Sequence, residues 1–96
     1  MTVYVISTYL QVFDEQRVLE YRKLAHPTVA AHGGRVVVRP AALQVLEGPP
    51  AEYVIVTEWA DMSSAQAWYN SPEYQQARKL REGAAQVQVI ITAAGP

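Results

Sequence analysis

The stretch that decides the fold is VYVISTYLQV, residues Val3–Val12. β-Branched and aromatic residues dominate it, which favours a β-strand. Its side chains alternate between two sets, Val3, Val5, Ser7, Tyr9 and Tyr4, Ile6, Thr8, Leu10, Val12. Because neither set is plainly polar, both faces of this strand must be covered by other parts of the structure.

A helix is predicted to follow. Asp14 supplies an N-cap side chain, and the segment from Arg17 to Leu24 lacks glycine and proline. A stripe at helical spacing runs through Val18, Tyr21, Ala25, Thr28 and His32. Pro27 interrupts this pattern, so we expect a kink, or two abutting helices of which the second begins at Pro27. Gly33-Gly34 should end the helix, since glycine tolerates the left-handed conformation.

Further β segments are predicted on either side of a loop. Arg35–Arg39 (RVVVR) and Leu43–Glu47 (LQVLE) are separated by Pro40, which cannot donate to a β-ladder and therefore marks an edge, a bulge or a bend. After Gly48-Pro49-Pro50, Tyr53–Trp59 (YVIVTEW) forms the next strand.

A second helical region and a last strand complete the chain. Asp61, Ser63 and Ser64 are N-cap candidates for a helix that runs through Tyr69. Ser71 then caps a restarted helix in which Pro72 occupies the first helical position, and this helix continues to Gly83. Gln86–Thr92 (QVQVIIT) is the last strand.

The order strand, helix, strand, strand, helix, strand predicts an α+β fold of the ferredoxin-like βαββαβ type, as a single domain over residues 1–96. Two helices would cover one face of its four-stranded antiparallel sheet. The opposite face is also apolar, and a second copy of the chain is the economical cover for it. We therefore expect a homodimer that pairs sheet against sheet, a dimeric α/β barrel.

The composition excludes several classes of function. The 96 residues contain eight Lys and Arg against nine Asp and Glu, so no basic excess favours nucleic acid or anionic membranes. No segment is long and apolar enough to span a membrane. The absence of cysteine excludes disulfides and thiolate metal sites. The first thirteen residues lack Lys and Arg and alternate like a strand, so we expect no signal peptide and a cytoplasmic location.

Five segments together resemble the family of domain-of-unknown-function 1330, in the dimeric α/β-barrel superfamily. They are Tyr21–Pro27 (YRKLAHP), His32–Arg35 (HGGR), Val38-Arg39, Val45–Gly48 (VLEG) and Ala67–Tyr74 (AWYNSPEY). The resemblance spans nearly the whole chain and implies a ferredoxin-like subunit that pairs through its sheet.

The resemblance implies no single reaction. More distant superfamily relatives include cofactor-independent monooxygenases, haem-degrading enzymes, muconolactone-type isomerases, polyketide cyclases and stress-response proteins. One departure concerns the candidate site: the family commonly has Arg-Gly-Gly where this chain has Arg39-Pro40-Ala41. Proline makes the backbone stiffer there.

Three residues are candidates for catalysis. His26 precedes the helix break and could move a proton near neutral pH, or it could hydrogen-bond the backbone freed by Pro27. His32, just before the double glycine, could do the same chemistry or cap the helix C-terminus. Arg39 has a planar fork that matches an anionic or carbonyl group of a ligand, although an edge-strand salt bridge is the alternative.

A second group of residues is predicted to contact a ligand. Tyrosine hydroxyls and indoles supply apolar surface with a polar tip, and packing in the core is the alternative role for each of them. Glu58 adjoins an indole and could be partly desolvated, or it could meet an arginine across a subunit interface. The predicted contacts are Tyr9, Tyr21, Glu58, Trp59, Tyr69 and Tyr74.

Two functions follow from these candidates. No phosphate-binding loop, nucleophile elbow or metal-binding helix motif is present, so we expect neither cofactor nor metal. The first function is a homodimer that binds a small, largely apolar, oxygen-bearing molecule between sheet and helices, and that could be a cofactor-free enzyme of the isomerase, cyclase or monooxygenase type. The alternative is a non-catalytic binding or regulatory dimer.

Overall fold

The computed structural model describes all 96 residues, and its sheet has four antiparallel strands. They are β1 (Val3–Val12), β2 (Arg35–Val38), β3 (Tyr53–Trp59) and β4 (Ala85–Ala93), in the spatial order β2-β3-β1-β4. The first strand in the chain is therefore central, flanked by β3 and β4. This is the predicted ferredoxin-like topology.

Three helices pack on one face of the sheet. Helix α1 (Glu15–Ala31) is capped by Asp14, whose carboxylate accepts a hydrogen bond from the Arg17 amide at 3.1 Å. Helix α2 (Met62–Tyr69) is capped in the same way by Asp61. Helix α3 (Pro72–Arg81) follows at once, with Ser71 as its cap and proline at its start. These are the caps that the sequence predicts, because each places an acceptor before a run of unpaired amides.

The two faces of the sheet follow from the register. Ser7 pairs with Ile55 on β3 and with Val89 on β4, and its side chain lies on the face that the helices cover. The buried core on this face divides into two clusters. The larger joins α1, α2 and α3 to Val3, Val5 and Trp59, and the smaller contains Tyr9, Val18 and Ala84.

Helix α1 is one continuous helix at Pro27, so of the two predicted alternatives the pair of abutting helices is wrong. The helix runs through this residue without a break, from Glu15 to Ala31. Pro27 and its preceding-turn neighbour Lys23 are both exposed. Water can therefore hydrogen-bond the Lys23 carbonyl that the proline leaves without an amide, which lowers the cost of proline inside this helix.

The prediction of a strand at Leu43–Glu47 is wrong. Strand β2 ends at Val38, with a bulge at Val37, and pairs only with the Val56–Glu58 part of β3. Pro40 follows, and since it has no amide hydrogen to donate, the ladder stops there. Residues 39–52 form a loop without helix or strand.

No helix in the structure is of the length and hydropathy that a membrane span requires.

Candidate functional site

A gap separates the two core clusters under helix α1. Small side chains leave it open: Ser7 lies on β1 between Val5 of the larger cluster and Tyr9 of the smaller one, and Ala25 lies on α1. Neither residue reaches far enough to close the space between helix and sheet. Protein interiors are normally packed as densely as organic crystals, so an open space between helix and sheet is unusual in such a small core.

The gap forms a pocket of about 260 Å³ between α1 and the sheet. Its walls are mainly apolar, formed by Ala25, Val29, Val36, Pro40, Ile55 and Trp68. The other six lining residues are polar or charged: Ser7, Tyr21, Arg22, His26, Arg39 and Thr57. An apolar concave site with a few polar groups is the usual form of a small-molecule site.

The pocket opens where β2 ends early. Arg39 and Pro40 follow the last residue of β2, and both are exposed at the edge of the pocket. His26 stands opposite them on α1, also exposed. Its imidazole has no hydrogen bond or ion pair within the protein. The mouth of the pocket therefore has His26 on one side and Arg39 on the other.

Arg22 lies one helical turn before His26 on the same pocket wall. Its Nη2 donates a hydrogen bond to the Tyr53 hydroxyl at 2.8 Å, and its guanidinium lies 5.4 Å from the centre of the Tyr53 ring. Its Nε is buried without a hydrogen-bond partner. Sequence reasoning missed Arg22, although the i, i+4 spacing to His26 would have placed the two on one helix face.

Tyr21 connects the pocket to a buried polar cluster behind it. Its hydroxyl lies 2.9 Å from the Tyr74 hydroxyl and accepts a hydrogen bond from Arg81 Nη1 at 3.1 Å. The Arg81 guanidinium also lies over the Tyr21 ring, 4.7 Å from its centre. Arg81 is only 8% exposed and forms no ion pair with a carboxylate, so tyrosines supply its surroundings.

Burial controls ionisation in this cluster. It raises the pKa of Tyr21 well above the usual range, and the neighbouring Tyr74 adds to the shift while Arg81 opposes it. Burial likewise raises the pKa of Tyr74. For Arg81, burial works to lower the pKa, but the nearby phenols Tyr21 and Tyr74 outweigh it and the net shift is upward. At neutral pH the tyrosines are thus hydroxyls and Arg81 is a cation.

The indole wall of the pocket is held by buried threonines. Trp68 Nε1 donates to Thr28 Oγ1 at 2.9 Å, and the Thr28 hydroxyl itself donates to the Ala25 carbonyl. Trp59 Nε1 donates to Thr57 Oγ1, also at 2.9 Å. Because both indole donors are satisfied within the protein, Trp68 offers the pocket an apolar surface.

The other predicted site residues lie outside the pocket. His32 caps α1: its Nδ1 lies 2.9 Å from the Thr28 carbonyl, and its Nε2 lies 3.4 Å from Glu73. Glu58 points to the face without helices, where it pairs with Arg35 at 2.9 Å. The remaining four residues pack in or against the core: Tyr9, Trp59, Tyr69 and Tyr74. Of the predicted set, only His26, Arg39 and Tyr21 line the pocket.

No cluster of three histidine or carboxylate side chains in the structure could hold a metal ion.

A second, wider cleft lies on the face of the sheet without helices. It measures about 810 Å³ and lies between that face and the 39–52 loop. Thr8, Leu10 and Val54 form part of its floor, and Leu43 and Val45 come from the loop. It is shallow and open, and its one ionisable lining residue is Glu47, whereas no histidine or arginine lines it.

The structure thus has a ferredoxin-like fold with a pocket under its first helix. Residues 2–94 match the family described as domain of unknown function (DUF1330), and the chain belongs to that family. A search of curated proteins finds no match.

Solved structures share the fold at low sequence identity. A protein of unknown function from Rhodopseudomonas palustris is 18% identical with a TM-score of 0.78, over 99% of this chain and 84% of that one. A dimeric ferredoxin-like protein of unknown function from Jannaschia sp. is 12% identical with a TM-score of 0.80, over 98% and 100%. SnoaB, a cofactor-independent oxygenase from Streptomyces nogalater, is 11% identical with a TM-score of 0.72, over 99% and 94%.

Proposed function

We propose that this protein is a homodimer that binds a small, largely apolar, oxygen-bearing molecule in the pocket between α1 and the sheet. The observation that carries the proposal is the pocket itself: about 260 Å³ enclosed by apolar side chains, with His26 and Arg39 at its mouth and Tyr21 on its wall. A solid interior would have favoured a dimer without a site.

The chemistry that fits this site is proton transfer without a cofactor. An imidazole nitrogen of His26 takes a proton from an activated carbon or a phenol of the ligand. Arg39 stabilises the negative charge that remains on the ligand oxygen. This step is shared by isomerase, cyclase and monooxygenase types of reaction, and the structural likeness to a cofactor-independent oxygenase is compatible with it.

A binding or regulatory role is the second candidate, and one observation favours it. His26 has no hydrogen bond to a second group that would orient its ring, whereas catalytic bases are usually held by such a partner. In that case His26 and Arg39 only contact the ligand.

Thermal-shift screening of oxygenated aromatic compounds tests the site. We expect ligands that stabilise the wild type to lose most of that stabilisation in His26→Ala and Arg39→Ala, and Lys79→Ala on α3 is the control. Turnover of such a ligand that disappears in His26→Ala indicates an enzyme, and binding without turnover indicates the second candidate. Ligands that stabilise every variant equally would remove His26 and Arg39 from the site.

The homodimer part of the proposal rests on the uncovered sheet face. Tyr4, Ile6, Leu10, Val54 and Val56 are only half-buried there, and no helix packs on them. An apolar surface of this kind is stabilised by association, and the structural neighbour from Jannaschia sp. is dimeric. Analytical ultracentrifugation at micromolar concentration should show a dimer; a monomer would contradict this part.

A further inference from the structure

We infer that the ligand of the α1 pocket is an anion, a small apolar molecule with a carboxylate group, and that Arg22 is the residue that binds this carboxylate. This inference rests on the proposed function, because it assumes that the pocket takes a small molecule. It adds the charge of that molecule and the residue that selects it.

The charges that line the pocket are all of one sign. Arg22 and Arg39 are cations, and no aspartate or glutamate is among the twelve lining residues. This imbalance is local, since the whole chain has a net charge of −1. A cleft with low-dielectric walls and charges of one sign concentrates ligands of the opposite sign.

Neither pocket arginine is neutralised elsewhere in the protein. The three ion pairs of the structure join His32 to Glu73, Arg35 to Glu58 and Arg78 to Glu82. Glu15 borders the adjoining groove together with Arg22, but the two form no ion pair. Glu52, the next carboxylate along the sheet edge, accepts a hydrogen bond from the Val12 amide at 2.6 Å. Arg22 is therefore a half-buried cation without a carboxylate.

The guanidinium of Arg22 is positioned but incompletely used. The bond from Nη2 to the Tyr53 hydroxyl and the contact with the Tyr53 ring hold it in place. Its Nε is enclosed without a partner, whereas Nη1 has no protein partner and is not enclosed. Nε is out of reach of a ligand, so Nη1 is the donor that a ligand can contact, and a guanidinium binds a carboxylate through short, charge-assisted hydrogen bonds. A ligand carboxylate at Nη1 would supply the missing negative charge.

The apolar walls of the α1 pocket determine which apolar group of a ligand fits. Trp68 and Ile55 offer apolar surface, and Ala25 leaves room against the helix. A carboxylate on an aromatic or branched aliphatic body therefore fits, while a polar body such as a sugar would leave its hydroxyls without partners.

A matched pair of probes tests the charge: 2-naphthoate and 2-acetylnaphthalene, which are similar in shape but differ in charge. Their dissociation constants are measured by isothermal titration calorimetry on the full chain. We expect the wild type to bind the naphthoate more tightly by roughly 10- to 100-fold, the range of a hydrogen bond to a charged group. Arg22→Met should abolish this preference. Lys23→Met, which removes a charge from the neighbouring exposed position, should keep it.

The outcomes separate this inference from the proposed function. If both probes bind the wild type equally, the anion inference is wrong while the apolar site stands. If Arg22→Met keeps the preference, or Lys23→Met loses it as much as Arg22→Met, Arg22 is not the residue that binds the carboxylate. If neither probe binds, both the site and the inference fail. Should Arg22→Met not fold, Arg22→Gln serves in its place, and the wild-type preference decides the charge of the ligand without any variant.

Discussion

The two faces of the sheet carry similar residues and have different surroundings. On the face under the helices, Val3 and Val5 are 2% exposed and Tyr9 is fully buried. On the opposite face, the alternating neighbours Tyr4 and Ile6 remain half-exposed, and Ile90 on β4 is 43% exposed. The apolar side chains on one face of a strand thus indicate that this face has to be buried. Whether a helix or a second subunit buries it depends on the chain topology.

The helix-covered face is itself divided. Around Trp59, Trp68 and Tyr74 the aromatic rings pack closely, with the two indole centres 5.2 Å apart. Around Ser7 and Ala25 the side chains are too small to fill the space between α1 and the sheet, and the pocket begins there. The closely packed region and the pocket are therefore adjacent parts of one surface, and substitutions should separate folding stability from the proposed ligand binding.

The largest expected effect comes from placing a charge on each face. Val5→Asp buries a carboxylate among apolar side chains, which should cost on the order of 5 kcal/mol and remove the cooperative fold. Ile6→Asp places the same charge one residue further, on the open face. We expect it to stay folded, by circular dichroism, and to sediment as a monomer.

Two results with Val5→Asp and Ile6→Asp would contradict this comparison of the two sheet faces. A folded Val5→Asp would mean that the helices do not seal their face. An Ile6→Asp protein that still sedimented as a dimer would place the subunit contact elsewhere.

A smaller loss of stability is expected at Gly34. A Cβ atom there would lie 2.6 Å from the Trp59 indole, so Gly34→Ala forces the ring out of the core. Overpacking of this kind costs about 1–3 kcal/mol in denaturant unfolding. Gly33→Ala is the control: it meets no atom within 4 Å, and only its φ of +88° is unfavourable. Tryptophan fluorescence should change in Gly34→Ala alone; an unchanged spectrum would show that the Trp59 ring stays in place and that the backbone moves instead.

Filling the pocket should stabilise the protein and weaken binding. Ser7→Val adds apolar atoms to the gap and removes a hydroxyl that makes no hydrogen bond within the protein. We expect a gain of about 1 kcal/mol in the free energy of unfolding, as in other cavity-filling substitutions, together with weaker binding of 2-naphthoate. Thr8→Val, on the open face, should leave binding unchanged. A Ser7→Val protein that binds the probe as before would move the ligand out of this pocket.

The last predicted effect is a loss of folding stability that is absent at neutral pH and grows as the pH becomes alkaline. The pKa values of Tyr21 and Tyr74 are raised in the folded protein, mainly by burial, so the folded state holds their protons where the unfolded state releases them. The contribution of these two tyrosines to the free energy of unfolding is complete below the pKa of about 10 that tyrosine has in the unfolded chain. This contribution is lost as the pH rises above that value. The denaturant midpoint should therefore fall between about pH 9 and pH 11.

Tyr74→Phe provides the control for this pH dependence. It removes one of the two buried phenols, so its midpoint should decline less steeply than that of the wild type over the same range. Equal slopes in the two proteins would mean that Tyr74 ionises as freely when folded as when unfolded.

Part of the candidate site could be predicted from the sequence. The sequence indicates His26 from its place before Pro27, Arg39 from its planar guanidinium and Tyr21 as an aromatic residue with a polar tip. These three residues line one pocket. Arg22 could not be identified in the same way, because its significance depends on Tyr53, 31 residues away. The strand predicted at Leu43–Glu47 does not form. Its composition suits a strand, but the chain leaves the sheet at Pro40.

The sequence by itself determined the strand at Val3–Val12, the helix caps at Asp14 and Ser71, and the order of elements that makes the fold ferredoxin-like. These features depend on side-chain alternation and on neighbours within a few residues. Only the tertiary structure decided that Ser7 faces the helices, that the end of β2 lies at the mouth of a pocket beside α1, and that Arg22 lines that pocket without a carboxylate. These features depend on contacts between segments far apart in the chain, which local propensity does not specify.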